Sequence, residues 1–323
     1  MNSKHYSPEN PFSAIQNLFL IYSISMTPGG QLPTLELLSA AGWQDYALLD
    51  SGNGRKLEQF GAYRLVRPEA EALWQPGLPA SEWKSADATY KPAPEENGGH
   101  WEYHRKLPDR WKLTYKQLAF WVQTSASRHV GVFPEQSCQW DWAEEVIRQS
   151  GIKPKVLNLF GYTGMASLSA ASAGALVTHL DASRKVITWA RENQQLSGLE
   201  ASPIRWILDD AVKFVQREQR RGSCYDGIIL DPPKFGRGPK GEVWEFYKLL
   251  PNLLSACRQI LSDRPVFIAG SVREGEEAMV LEAIRFAHNR LPAVFSIIAP
   301  RHAARIPLII DLSKKAGLAW GLR

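Results

Sequence analysis

The chain has 323 residues and a mass of 36.3 kDa, with 44% hydrophobic and 22% charged residues, the proportions of an ordinary folded protein with a full core. Disorder as the main state is excluded, and the length suggests about two domains. Thirty-eight Lys and Arg against 33 Asp and Glu leave a charge of +5 and a pI near 9.0, a mild basicity that suits a polyanionic partner.

Residues 1–40 hold Pro8, Pro11, Pro28, Gly29, Gly30 and Pro33 without sustained periodicity, which predicts a loosely ordered N-terminal arm. Its apolar stretch from Leu18 to Ile24 is far short of the roughly 18–20 residues a membrane-spanning helix needs, and no longer run follows, so no membrane span is expected. Only Lys4 and His5 precede that stretch and no small-residue cleavage site follows it, which argues against a signal peptide; Met26 offers an alternative start. Cys138, Cys224 and Cys257 form no CxxC pair and no metal-ligand spacing, so a reducing cytoplasm and no bound metal are expected.

Residues 41–135 read as a small β-rich domain for substrate recognition. The runs 46–50 and 63–67 are short and mixed apolar-polar, and Ser51-Gly52-Asn53-Gly54 supplies turn chemistry between them. Trp74, Trp83, Trp101 and Trp111 follow, with prolines at 76, 79, 92, 94 and 108, so strands and turns are expected and little helix. Residues 91–99 are predicted to form a loop or hairpin tip.

Residues 136–323 read as the catalytic domain, because strands and helices now alternate, the pattern of a parallel sheet with crossover helices. The predicted strands are 155–160, 176–181, 204–208, 225–231 and 265–269; helices are expected at about 163–173, 183–197, 210–221 and 243–261. Ser183 caps the second helix, Val186, Ile187, Ala190 and Leu196 form its apolar face, and Gly198 ends it. A sixth strand near 295–298 and a seventh in 307–312 or 318–322 would complete a doubly wound α/β sheet.

An open α/β sheet binds ligands beyond the C-terminal ends of its strands, and four such ends here carry chemistry. Phe160-Gly161-Tyr162-Thr163-Gly164 joins a buried strand to a helix of small residues, where glycines permit close backbone approach and the helix start offers free amides; a tight turn for packing alone is the competing reading. Asp181 follows Gly161 by 20 residues, a spacing that suits the hydroxyls of a ribose. Asp209-Asp210-Ala211 offers either an acceptor for an adenine amine or a helix N-cap. Asp231-Pro232-Pro233-Lys234-Phe235 is a rigid extended loop in which two prolines remove amide donors, leaving acceptors for a flat, donor-bearing group. No Gly-x-Gly-x-x-Gly follows the first strand, and no phosphate-binding Gly-x-x-x-x-Gly-Lys, zinc motif or Gly-x-Ser-x-Gly elbow is present.

Taken in order, the four ends resemble those of the class I S-adenosylmethionine-dependent methyltransferases. The stretches 156–164, Ala190-Arg-Glu-Asn193 with Leu196-Ser-Gly-Leu199, and 231–235 are similar, more narrowly, to bacterial ribosomal RNA methyltransferases with a small N-terminal β domain; the resemblance covers about residues 42–290. It implies a Rossmann-like methyltransferase sheet, S-adenosylmethionine as cofactor, and Asn158, Phe160, Gly161, Tyr162, Thr163 and Gly164 around its methionine part. Asp181, with Ala182 and Ser183, would hold the ribose, and Asp210 with Ala211 the adenine. Asp231, Pro232, Pro233 and Lys234 would face the methyl group and the target base. Phe133-Pro134-Glu135-Gln136 resembles the segment that closes over the cofactor, where many members carry Asp-Gln-Arg, and Asn193 reads as a structural amide bonded to a strand-end loop.

Methylation at a pyrimidine carbon requires a thiolate that adds to the ring, and family members of that kind keep a cysteine just after the fifth strand. Here that place reads Ile268-Ala-Gly-Ser-Val272, and Cys138 is the spare candidate, so methylation of a base nitrogen is preferred. Lys234, Arg237 and Lys240, with Arg301, His302 and Arg305, are the cations expected to meet RNA phosphates; Arg217, Arg220 and Arg221 read as a solvated helix end. Trp101, His104, Arg105 and Lys106 fit either base stacking or a strand packed into a core. Two other readings stay open: methylation of a protein amide or small amine, and a non-catalytic nucleotide- or RNA-binding module.

Overall fold

The computed structural model describes residues 42–93 and 98–272, short stretches at 18–19, 22–24, 38–40, 295–300 and 321–322, and single positions 308, 311 and 315. Strands Tyr46–Gly52, Arg55–Phe60, Tyr63–Pro68, Ala88–Pro92 and Gly99–Tyr103 form one five-stranded sheet in that order. Asn53 and Gly54 take φ of 51° and 73°, the left-handed pair that turns a two-residue hairpin with the right twist. All pairings are antiparallel except Tyr63–Pro68 with Ala88–Pro92, whose connection carries the short helix Ala80–Lys84. A separate ribbon pairs Trp111–Tyr115 with Leu118–Val122 and buries Trp111, Leu113, Tyr115, Leu118, Phe120 and Val122 on one face.

A larger sheet has eight strands in the order Ile204–Leu208, Leu176–Asp181, Lys155–Leu159, Tyr225–Leu230, Leu261–Val272, Phe295–Pro300, Tyr22–Ile24 and Gly321–Leu322. The first six run parallel, and the last two pairings are antiparallel. Of the two candidates for a seventh strand, 318–322 contains Gly321–Leu322, and Tyr22–Ile24, from the stretch read as an arm, lies between it and Phe295–Pro300. Helices Met165–Ser172, Arg184–Leu196, Ala211–Arg220 and Phe246–Gln259 fall within the predicted spans.

Two elements differ from the sequence reading. Ser137–Gln149 is a helix that buries Trp140, Ala143 and Ile147, a one-face spacing that the preceding linker had masked. The predicted helix from 243 starts instead at Phe246, because Gly238-Pro239-Lys240-Gly241 reverses the chain and pairs Phe235–Arg237 with Val243–Glu245 as a hairpin.

One apolar cluster joins the two halves. It runs from Phe60 and Leu65 through Trp111, Tyr115 and Phe120 to Trp140, Met165 and Leu168, and Trp43 packs its ring 4.5 Å from Tyr115 and 6.2 Å from Trp140. The chain builds Leu176–Asp181 and Ile204–Leu208 on one side of Lys155–Leu159, then crosses to Tyr225–Leu230 on the other. The loops leaving Lys155–Leu159 and Tyr225–Leu230 therefore diverge at this switch point and open a crevice.

Candidate active site

The loop after Lys155–Leu159 is held in a costly conformation. Phe160, Tyr162 and Gly164 take φ of 57°, 50° and 93°, and two of these carry bulky side chains. Backbone bonds fix it: Gly161 N–H donates to Leu180 O at 2.9 Å and Gly164 N–H to Gly161 O at 3.1 Å. The Asn193 amide donates to Thr163 O at 3.0 Å and accepts from Trp121 N–H at 2.9 Å, tying the loop to the ribbon, which is the structural role read for it. Gly164 is required by its φ, whereas a side chain at Gly161 would strike the imidazole of His179.

Asp181 accepts from Tyr162 N–H at 3.0 Å and from Ser183 N–H at 2.9 Å, so it joins two strand-end loops. Burial raises its pKa, and the amides of Ser183, Tyr162 and Ala182 pull it back. Ser183 caps the next helix through Val186 N–H, and Asp210 caps the one after it, accepting from Lys213 N–H at 3.0 Å. The N-cap reading of Asp210 is thus realised, and Asp210 also stands at the wall of the crevice.

Asp231 receives a hydrogen bond from Gln136 Nε2 at 2.5 Å, across 95 residues of sequence. The hairpin closes over the same loop, since Trp244 Nε1 donates to Pro233 O at 2.6 Å and its ring packs 4.8 Å from Phe160. These loops enclose a cavity of about 340 Å³. Asp181, Ala182, Ser183, Asp209, Asp210, Ala211, Asp231, Pro232 and Pro233, from three strand ends, line it. His129, Phe133, Glu135, Phe160, Tyr162, Arg237 and Trp244 complete it. A smaller chamber of about 60 Å³, sharing Phe133, Phe160, Tyr162 and Asp231 with the first, lies between Asn158, Gly161, Thr163, Gln136, Trp140 and Met165. Five carboxylates, those of Glu135, Asp181, Asp209, Asp210 and Asp231, give the main cavity an acidic wall.

Of the sequence-selected residues, Gly164 and Lys234 line neither chamber: Gly164 shapes the loop, and Lys234 is exposed and holds Phe246 N–H through its carbonyl. His129, Trp244 and the inner wall of Gln139, Trp140 and Met165 were not singled out. Trp244 carried no readable signal, since its three-residue strand is too short to show an alternation. No cysteine lines either chamber among the described residues. Cys138 donates to Glu135 O at 3.3 Å, and burial pushes its thiol up to about 12. Cys257 is buried in the last helix and raised to about 12 in the same way.

In the cation-aromatic stretch of the small domain, Trp101 and Arg105 have structural contacts. Trp101 is buried, donating to Ser125 O at 2.9 Å beside Tyr90, and Arg105 Nη2 donates to Asp87 at 3.0 Å. Arg217 pairs with Asp209 and Arg221 with Glu218, which fits a solvated helix end. Arg301, His302 and Arg305 lie outside the described residues. Among the described residues, no helix is long and apolar enough to cross a membrane, and no group of three or more His, Cys, Asp or Glu could hold a metal.

Behind the first loop, Asn158 Nδ2 lies 2.9 Å from Ser167 Oγ, which lies 2.9 Å from His179 Nδ1; all three side chains are buried. His179 Nε2 meets no partner, and burial lowers the imidazole pKa to about 3. The unfolded chain binds a proton here from about pH 6.5 downward while the folded chain does not, so this group's stability is full above pH 6.5 and is lost as pH falls toward 3. Urea unfolding should therefore show wild-type stability falling by up to about 1.4 kcal/mol per pH unit more steeply than in His179→Gln between pH 6 and 4. Parallel profiles would contradict a neutral buried His179.

A family profile described as S-adenosylmethionine-dependent methyltransferase matches residues 31–264. The crystal structure of the SAM-dependent methyltransferase from Agrobacterium tumefaciens is 51% identical, with a TM-score of 0.67, covering 74% of this chain and 77% of that one. Ribosomal RNA large subunit methyltransferase I of Klebsiella pneumoniae (strain 342) is 39% identical over 82 residues, 25% of this chain and 20% of that protein. Ribosomal RNA large subunit methyltransferase K of Neisseria meningitidis serogroup B is 24% identical over 184 residues, 55% of this chain and 51% of that protein. The chain thus spans between a fifth and a half of the length of these two curated relatives.

Proposed function

The chain belongs to the S-adenosylmethionine-dependent methyltransferase family, and we propose that it methylates a base nitrogen of RNA, ribosomal RNA by likeness to its curated relatives. The observation that carries this reading is the Asp231 loop, where a carboxylate oriented by Gln136 and a donor-free Pro-Pro pair face a cavity with no described cysteine. In this reading residues 41–135 recognise the substrate and residues 136–323 carry the chemistry.

The residues present fit the cofactor. The acceptors of the main cavity suit the ribose hydroxyls and the adenine amine of an adenosine group, and the smaller chamber, which shares Phe133, Phe160, Tyr162 and Asp231 with it, suits the methionine end. Asn158, Phe160, Gly161, Tyr162 and Thr163 would surround the methionine end, Asp181 with Ala182 and Ser183 the ribose, and Asp210 with Ala211 the adenine. Phe133 would cover it from the linker.

The cofactor supplies a methyl group already activated by a positive sulfur. What remains for the protein is to place a nucleophile in line and exclude water. Pro233 O is engaged by Trp244, so Asp231 and the Pro232 carbonyl are the acceptors offered to a target amine. Asp231 would accept an amine hydrogen and stabilise the positive charge that develops on nitrogen as the new bond forms. No cysteine is required by this chemistry, and a triple Cys→Ser variant that folds should still transfer methyl groups to purified ribosomal RNA. An inactive variant with normal cofactor affinity would instead require a covalent route.

Asp181→Ala should weaken S-adenosylmethionine binding by at least about tenfold in calorimetry, because two hydroxyls lose a charged acceptor and the Tyr162 and Ser183 amides lose their anchor. Unchanged affinity would overturn the ribose assignment.

A further inference from the structure

The hairpin beside the Asp231 loop has two unlike faces. In a two-stranded ribbon, directly opposed residues share a face and successive residues alternate. Gly236 opposes Trp244, and both line the cavity. Phe235 opposes Glu245 and Arg237 opposes Val243, which sets these four opposite to Gly236 and Trp244 in the ribbon, and Arg237, at the end of its strand, also borders the cavity. Phe235 is 56% exposed and lines neither chamber, so its ring serves neither the core nor the cavity.

The charge around the hairpin is unbalanced. Glu245 pairs with Lys248 and Glu242 with Lys213, whereas Lys234, Arg237 and Lys240 have no ion pair among the described residues. In the small sheet, by contrast, Lys56, Arg64, Arg67, Lys91 and Arg105 are all paired with carboxylates. An exposed aromatic ring among uncompensated cations, next in sequence to the cavity-lining Gly236, is complementary to a single strand with one base turned inward.

We propose that the Phe235 face of the hairpin is a docking platform for single-stranded RNA, on which Phe235 stacks a base flanking the target while Lys234, Arg237 and Lys240 hold the adjoining phosphates. This rests on RNA being the substrate. Duplex RNA hides its base faces and offers the ring nothing to stack on.

The test uses the full chain and a fluorescein-labelled RNA of about 20 nucleotides, single-stranded or annealed to its complement, with binding read by anisotropy across a salt series. Phe235→Ala should weaken single-strand binding roughly 5- to 100-fold with an unchanged salt slope, and Phe235→Tyr should restore it. Arg237→Ala with Lys240→Ala should instead flatten the slope by about 1.4, two single-strand phosphate contacts. If the wild type binds single strands tightly and Phe235→Ala stays within about twofold of it, the platform is overturned while the RNA reading survives. If the wild type binds cofactor but neither RNA form, the RNA reading fails and the platform with it.

Discussion

Asp231→Asn should lower kcat by on the order of 100- to 1000-fold while leaving cofactor affinity within about threefold of wild type. The expectation follows from Gln136, whose Nε2 donates to the Asp231 carboxylate at 2.5 Å. An asparagine keeps that bond only by turning its oxygen toward Gln136. Its NH2 group then points at the target amine, placing a donor where an acceptor is needed and removing the negative charge that favours a developing cation. Single-turnover methyl transfer, measured with saturating cofactor, separates this from a binding defect. Near-normal rates would show that Asp231 does not meet the nucleophile.

Arg67→Met should destabilise the fold by about 3–5 kcal/mol and lower Tm by roughly 5–15 °C. Arg67 and Glu58 sit diagonally across neighbouring strands of the small sheet, both buried, with Nε to Oε2 at 2.6 Å and Nη2 to Oε1 at 2.7 Å. Burial alone raises the Glu58 pKa, but Arg67 and Lys56 more than reverse it, so the carboxyl stays below its usual range. Removing Arg67 leaves the buried carboxylate with only the Tyr46 hydroxyl at 3.0 Å and Lys56 at 3.6 Å. The double variant Arg67→Met with Glu58→Gln should recover most of the loss, because the charge disappears with its partner. Arg67 Nη1 also donates to Arg128 O at 3.2 Å, next to His129 in the cavity wall, so the single variant should weaken cofactor binding as well. A single variant as stable as wild type would mean that Glu58 finds water or another cation.

The parallel strands were legible because strands buried between helix layers read as short apolar runs, and their ends carried Gly161, Asp181, Asp210 and Asp231 in plain order. Asn193 was legible as a structural amide because a buried polar residue in an apolar helix face needs partners. Contacts between distant segments were not. Gln136 meets Asp231 across 95 residues, and local spacing carries no trace of that. Gly161 looked like a place for ligand approach, yet its missing side chain also makes room for His179 on the neighbouring strand. The hairpin at 235–245 hid behind an expected helix, since Val243-Trp244-Glu245 is too short to show a period. Local spacing says nothing of Arg67 and Glu58 facing inward together, which only the third dimension reveals.

The central claim is methyl transfer to a base nitrogen, and the direct measurement is nucleoside mass spectrometry of ribosomal RNA incubated with the purified protein and S-adenosylmethionine. An N-methylated nucleoside is expected in amounts matching the S-adenosylhomocysteine formed, with both products appearing on the order of 100- to 1000-fold more slowly from Asp231→Asn. A 5-methylcytosine product, or methyl groups found on protein and none on RNA, would contradict it.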